Sequence, residues 1–255
     1  IAKALYDAKS INFDEPFLKM RNQGMILGPD GKKMSKSKGN VVNPDQVVRD
    51  HGADALRIYI LFMSRFEDGG PWDPKGITGI KRFLEKAWGL YEKEIASGEP
   101  DIEETRILNK TIKKVGEDID TFHFNTAISQ LMVLVNFLAS QKKQNKKTLE
   151  ILSIILSPLA PHMSEELWEK LGGKDSIQLE VWPKYDKNLI KDETVTVAVQ
   201  INGKVREQLL INVEADEKEI LELAKASAKV RKYVEGKEIK KVIYIKGKLL
   251  SLVVS

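Results

Sequence analysis

The sequence predicts a multidomain chain, mostly helical, that closes with a small α+β domain. Three features lead there: a turn-rich opening, a long middle zone with apolar residues recurring at a helical period, and a final zone where the period drops to two. The zones are residues 1–75, 76–189 and 190–255.

In the opening zone, Gly28-Pro29-Asp30-Gly31, Gly39-Asn40, Asn43-Pro44 and Gly69-Gly70-Pro71 punctuate short elements. Between them Pro44 to Met63 reads as helix-rich, with Val47, Val48, Ala55, Leu56, Ile58 and Tyr59 as its apolar positions. In the middle zone Ile80, Phe83, Leu84, Ala87, Trp88, Tyr91 and Ile95 trace one face of an amphipathic helix. Pro100 interrupts. Further helices are expected through Ile107 to Ile119, Asn125 to Leu138, Lys147 to Leu156, and Ser164 to Leu171, the last with Ser164 as its cap. Short links between striped helices mean a bundle. After Pro183, Val195, Val197, Val199 and Ile201 alternate with Thr and Ala up to Asn202-Gly203, which predicts a tight hairpin. A return strand to Val213, a helix from Asp216 to about Lys232, and strands over 239–246 and 249–254 complete the expectation.

Composition bounds the chemistry. With 255 residues, 42% hydrophobic and 31% charged, the chain has the make-up of a folded, soluble protein, and no apolar run reaches membrane-spanning length. There is no cysteine, and His51, His123 and His162 are too far apart in sequence for paired helical ligation, so neither a thiol nucleophile nor a zinc site is expected. No secretory segment follows Ile1, although a first residue other than methionine leaves the natural start open; a cytoplasmic home is the expectation. Net charge is +4, concentrated at the two ends, and residues 239–255 hold four lysines and no acid. Such a field suits a polyanion, although a solvated strand face would look the same.

Four lysines fall within Lys32 to Lys38, in a loop hinged by glycines. The spacing is not that of a P-loop, since Ile26 and Lys33 stand where that motif needs Gly and Ser or Thr. What the residues offer is a basic loop able to close over a polyphosphate and neutralise charge on a leaving group. Charge alone leaves a merely solvated loop equally open.

The order Lys33-Met34-Ser35-Lys36-Ser37 matches the KMSKS signature of class I aminoacyl-tRNA synthetases. Met25 to Gly31 before it, Lys38 to Pro44 after it, and Gly52-Ala53-Asp54-Ala55-Leu56-Arg57 resemble the leucyl-tRNA synthetases. Leu159 to Trp168 is similar to the helical anticodon-binding domain of that subclass, and Val199 to Arg206 to the C-terminal domain of bacterial leucyl enzymes. The resemblance covers essentially the whole chain. It implies that residues 1–75 end a class I catalytic domain, that 76–189 form an anticodon-binding-type bundle, and that 190–255 are a C-terminal tRNA-binding domain.

The resemblance also implies function: ATP-dependent joining of leucine to tRNA(Leu) through leucyl-adenylate, with ATP and Mg2+ shared with a half not present here. Lys33 and Lys36 are the expected catalytic contacts; Lys33, Met34, Ser35, Lys36 and Ser37 the ATP-binding loop; Lys204, Arg206, Lys240, Lys241, Lys246 and Lys248 the tRNA contacts. The family's His-x-Gly-His word is absent from this sequence. A partner chain carrying that word, the leucine pocket and the editing domain is therefore expected, in a heterodimer, with a cut longer chain as the other possibility. The rival readings are a non-catalytic tRNA-binding module and the same part of an isoleucyl, valyl or methionyl enzyme. His162, after a proline at a helix start, reads as a packing and hydrogen-bonding residue rather than a catalytic one.

Overall fold

The computed structural model describes every residue except 191–193 and 213–214, and Thr194 by its backbone alone. Two compact units result, Ile1–Leu189 and Ile190–Ser255.

In the first unit, helix α1 (Ala2–Asp7) buries none of its residues. Strand β1 (Met25–Leu27) is followed by α2 (Pro44–His51) and α3 (Ala53–Phe62), and then β2 (Gly69–Pro71) returns to pair with β1 in parallel. The helix-rich stretch is thus two helices, parted at Gly52, whose φ of 90° suits only glycine. Asn43 caps α2 by accepting the Asp45 N–H at 3.0 Å, and Pro44 takes the first helical position, where its missing N–H costs nothing.

The stripe from Ile80 forms α4 (Gly76–Leu90), which buries Ile77, Ile80, Phe83, Ala87 and Leu90. Contrary to expectation the helix stops before Ile95. That residue enters a two-residue strand β3 (Ile95–Ala96), paired in parallel with β4 (Gln144–Asn145). The Lys93 ammonium turns back to the Ala139 and Gln141 carbonyls, so long-range bonding replaces another helical turn. Helices α5 (Ile102–Asp120), α6 (Phe124–Ser140), α7 (Lys146–Leu156) and α8 (Pro161–Lys170) complete the bundle. Asp101 and Asn145 cap α5 and α7 through their side chains. Ser164 is not the start of α8: Pro161 begins it, and Ser164 lies buried one turn inside.

Leu131, Leu134, Leu138, Leu149, Leu152 and Leu156 are fully buried at the bundle centre, each contributing about 1.5–3 kcal/mol by leaving water. The same core includes Ala55, Ile58 and Tyr59 of α3. Residues on both sides of position 75 therefore share one core.

The second unit holds β5 (Thr194–Ile201), β6 (Lys204–Asn212), α9 (Glu217–Ala226), α10 (Ala228–Val234), β7 (Ile239–Ile245) and β8 (Leu249–Val254). Its sheet runs β6-β5-β8-β7, with β5 and β8 parallel and the other pairs antiparallel. Asn202 and Gly203 have φ of 48° and 78°, the two left-handed residues a tight hairpin needs. The expected strand end at Val213 lies outside the described residues. The single helix expected to Lys232 is two, broken at Ser227, whose hydroxyl donates to Glu207 Oε2 at 3.0 Å. Ile220, Ala224 and Val230 pack on Val197, Val199, Leu250 and Leu252, covering one sheet face. Among the described residues no helix is long and apolar enough to cross a membrane.

Candidate active-site loop and nucleic-acid interface

The basic loop leaves the carboxyl end of β1. Gly28 to Gly31 form a turn closed by the Gly31 N–H on the Gly28 carbonyl at 2.9 Å, and an isolated bridge ties Leu27 to Lys33. Lys36–Lys38 make one 3₁₀ turn that ends on Gly39, at φ 66°. Met34 is half-buried and roofs an apolar cavity of about 150 Å³, walled by Ile26, Val47, Leu56 and Trp72. Lys33, Lys36, Ser37 and Lys38 are exposed. Ser35 and Ser37 share a hydroxyl hydrogen bond at 2.8 Å.

One side-chain pair clasps the base of this loop. Asn40 donates through Nδ2 to Asp30 Oδ1 at 3.0 Å and to the Lys33 carbonyl at 3.3 Å, while its Oδ1 accepts the Ser35 N–H at 2.8 Å. The Asn40 amide, helped by the Lys32 N–H, holds the Asp30 carboxyl below its ordinary pKa. A Cβ on Gly28 would stand 2.8 Å from Asp30 Oδ1 and 2.9 Å from Asn40 Nδ2, so a side chain there would push the clasp apart. In the sequence Asp30 and Asn40 stood out only as turn residues and not among the site candidates. The signal was a polar residue directly behind the glycine that ends the turn.

Behind the loop, α3 is tied to the bundle. Asp54 accepts from His162 Nδ1 at 2.8 Å and from the Met163 N–H at 2.7 Å, while Arg57 donates to the Pro158 carbonyl at 3.0 Å. The segments Gly52–Arg57 and Leu159–Trp168, distant in sequence, are thus in contact. His162 is a hydrogen-bonding partner, in line with the reading from sequence.

In the second unit the six basic candidates do not converge. Lys204 follows the Asn202-Gly203 turn, and Lys240 and Lys241 lie beside it, because Ile239 and Lys241 pair with Val254 and Val253 while Asn202 bonds Val254. Lys246 and Lys248 flank the opposite turn, about 20 Å away by strand rise. Arg206 sits beside the bulge at Val199/Gln200 and lays its guanidinium 4.2 Å over the Tyr233 ring of α10. Its Nε is buried without a hydrogen bond, so much of Arg206 is engaged in packing. The sheet face away from the helices exposes Val205, Leu210 and Ile243.

Comparison with known proteins decides the kinship. Residues 2–69 match the family "tRNA synthetases class I (I, L, M and V)", and residues 105–223 match "Anticodon-binding domain of tRNA ligase". A leucine–tRNA ligase of Leptospira biflexa is 47% identical over 99% of this chain, and one of Bdellovibrio bacteriovorus is 48% identical over the same share.

Over nearly its whole length the chain is similar to the C-terminal part of leucine–tRNA ligases.

It spans about 30% of the length of these relatives, 30% of the first and 32% of the second. Among solved structures, the LeuRS of Agrobacterium radiobacter K84, in a ternary complex with tRNA and LeuAMS, superposes with a TM-score of 0.73 at 33% identity, covering all of this chain and 35% of that one. The loop presents cationic side chains on a clasped frame, an arrangement suited to holding phosphates. Mg2+ is a different matter. Among the described residues no three of His, Asp or Glu converge to hold a metal.

Proposed function

We propose that this chain is the KMSKS-bearing, tRNA-holding part of a leucine–tRNA ligase, acting with a catalytic part outside it. In the complete enzyme leucine's carboxylate attacks the α-phosphate of ATP and pyrophosphate leaves. Lys36 and Lys33 neutralise charge on the departing phosphates, and Ser35 and Ser37 stiffen the loop that carries them. Residues 1–75 serve the catalytic domain, 76–189 hold the tRNA body, and 190–255 grip tRNA through Lys204, Lys240 and Lys241, with Lys246 and Lys248 at the far end of the sheet. The carrying observation is the Asp30–Asn40 clasp, which keeps the loop's base ordered while leaving both lysines exposed.

Two features support a catalytic part docking here. A parallel pair of three-residue strands is too small to stand alone, because parallel sheets are normally extended and covered on both faces. Nearby, Phe17, Leu18 and Met20 are at least 81% exposed. The missing part carries the His-x-Gly-His word, the leucine pocket and the editing domain, and a separate partner chain in a cytoplasmic heterodimer is the form we favour.

The test is leucine-dependent pyrophosphate exchange by the complete enzyme. Lys36→Ala lowers the exchange rate about 10²-fold or more, the scale of a lost transition-state charge contact. An effect confined to the KM for tRNA would remove Lys36 from that role.

A further inference from the structure

Helix α5 ends on a residue that its backbone disfavours. The His123 N–H bonds the Asp118 carbonyl at 2.7 Å and the Phe122 N–H bonds the Ile119 carbonyl at 3.2 Å, the paired closure whose left-handed residue is usually glycine. Helix α8 closes in the same way, Gly173 on Trp168 at 3.0 Å and Gly172 on Glu169 at 2.9 Å, and its left-handed residue is Gly172, at φ 93°. In α5 that place is taken by Phe122, at φ 66°. A bulky side chain there is strained, and such strain persists only where the surroundings hold it. Stopping the helix accounts for the turn but not for the ring.

The contacts of the ring account for it. Phe122 stands edge-on to Phe66 and Phe124, with centroids 5.1 and 5.4 Å away, and the Arg21 guanidinium lies 5.0 Å from its centroid. Arg21 also faces Glu67 at 3.9 Å. Arg21 and Phe66 bracket the entry to β1: Arg21 precedes it in the chain, and the Phe66 carbonyl accepts the Gly24 N–H at 2.7 Å. The fit at that point is close, since a Cβ on Gly24 would stand 2.0 Å from the Gly69 nitrogen. Phe66 and Phe124 also line a cavity of about 420 Å³ beside Gly24 and Met25, a void that leaves the strand entry little other packing on this side. Strand β1 is only three residues long, and the lysine loop leaves its far end. One ring contact and one hydrogen bond therefore connect Phe122 to the strand on which Lys33 and Lys36 are mounted.

We propose that Phe122 is a positioning residue for the lysine loop. Held in a strained backbone by the end of α5, its ring braces Phe66 and Arg21 and so fixes where β1 delivers Lys33 and Lys36. The proposal rests on the reading of those lysines as the phosphate contacts.

Phe122→Gly tests it, because glycine removes the ring while suiting the left-handed turn, so α5 still ends in place. In the complete enzyme this variant lowers kcat for leucine-dependent pyrophosphate exchange about tenfold or more, the scale of a slightly misplaced charge contact, and leaves the KM for leucine native. Phe122→Tyr keeps the ring and the native rate. On a Lys36→Ala background Phe122→Gly adds little, since the ring acts through the loop, whereas a merely structural loss would multiply with it. In this chain by itself, amide exchange over residues 25–39 accelerates in Phe122→Gly at a native melting midpoint. Arg21→Ala, outside any helix, produces the same two changes at smaller size. Native exchange rates in both variants, or a full additional loss on the Lys36→Ala background, overturn the positioning role and leave the phosphate reading standing. A native complete enzyme without leucine-dependent exchange overturns both.

Discussion

Asp54 caps helix α8 from across the fold: its Oδ2 accepts the Met163 N–H at 2.7 Å, and its Oδ1 accepts from His162 at 2.8 Å. The carboxylate is buried and faces the amino end of a helix whose own N-cap residue, Ala160, has no side chain to offer. One residue thereby fastens the helix behind the basic loop to the bundle. Asp54→Ala is expected to cost about 2–3 kcal/mol, because it strands a backbone donor and a histidine together. By calorimetry the midpoint falls by about 5–10 °C. His162→Ala costs under about 1 kcal/mol, since that ring is largely exposed and the backbone bond survives. Equal losses for the two variants would show that the cap is not the stronger part of the contact.

The clasp at the loop base predicts a local effect. Asn40→Ala leaves global stability almost unchanged but frees the Ser35 N–H and the Asp30 carboxylate, so amide exchange across Lys32–Gly39 accelerates. The folded pKa of Asp30 is depressed, so its contribution is present above the ordinary aspartate value of about 3.9 and is lost as pH falls through the lower folded value. Loop protection in the native chain is therefore flat from neutral pH down to about 5 and declines only in stronger acid. A decline centred between pH 6 and 7 would assign the ordering to another group.

Tyr91 predicts an alkaline limit to stability. Its hydroxyl is buried, bonded to the Leu149 carbonyl at 2.9 Å and to Ser153 Oγ at 2.8 Å. Burial pushes the phenol well above its ordinary pKa. The folded state thus favours the protonated form: stability is intact below about pH 10 and is lost as pH rises toward the folded value. Tyr91→Phe costs about 1 kcal/mol at neutral pH and removes that steepening at high pH. Urea melts at pH 7 and pH 10.5 measure both.

Arg206 and the β7 lysines separate packing from binding. Arg206→Ala loses the stack on Tyr233 and lowers the melting midpoint of a 190–255 transition, at a cost of about 1 kcal/mol. Lys240→Ala with Lys241→Ala leaves melting unchanged but weakens tRNA binding and lowers its salt slope by about 1–2. If the lysine pair changes neither quantity, that end of the sheet does not grip tRNA.

Helices α5, α6 and α7 were legible to within a few residues because each buries a stripe that repeats every 3.6 positions, a property of contiguous sequence. The hairpin at Asn202-Gly203 was legible because two adjacent left-handed residues select that turn. The KMSKS loop was legible as a run of lysines suited to phosphate, and its order carried the resemblance to class I synthetases. Where Ser164 and Ile95 departed from expectation, the competitor came from elsewhere in the chain: Asp54 supplied the cap expected of Ser164, and strand β4 drew Ile95 out of the helix.

By itself, then, the sequence determined what depends on neighbours along the chain: which stretches coil, which pair as hairpins, and which loop carries the cations. Only the tertiary structure decided that Asn40 clasps Asp30, that Asp54 reaches His162, that Arg206 is spent partly on Tyr233, and that the C-terminal lysines stand at opposite ends of one sheet. The reason is physical. Periodicity and turn preference are local free energies written every few residues, whereas a cap or a clasp between distant residues exists only after the core has brought their backbones within hydrogen-bonding distance.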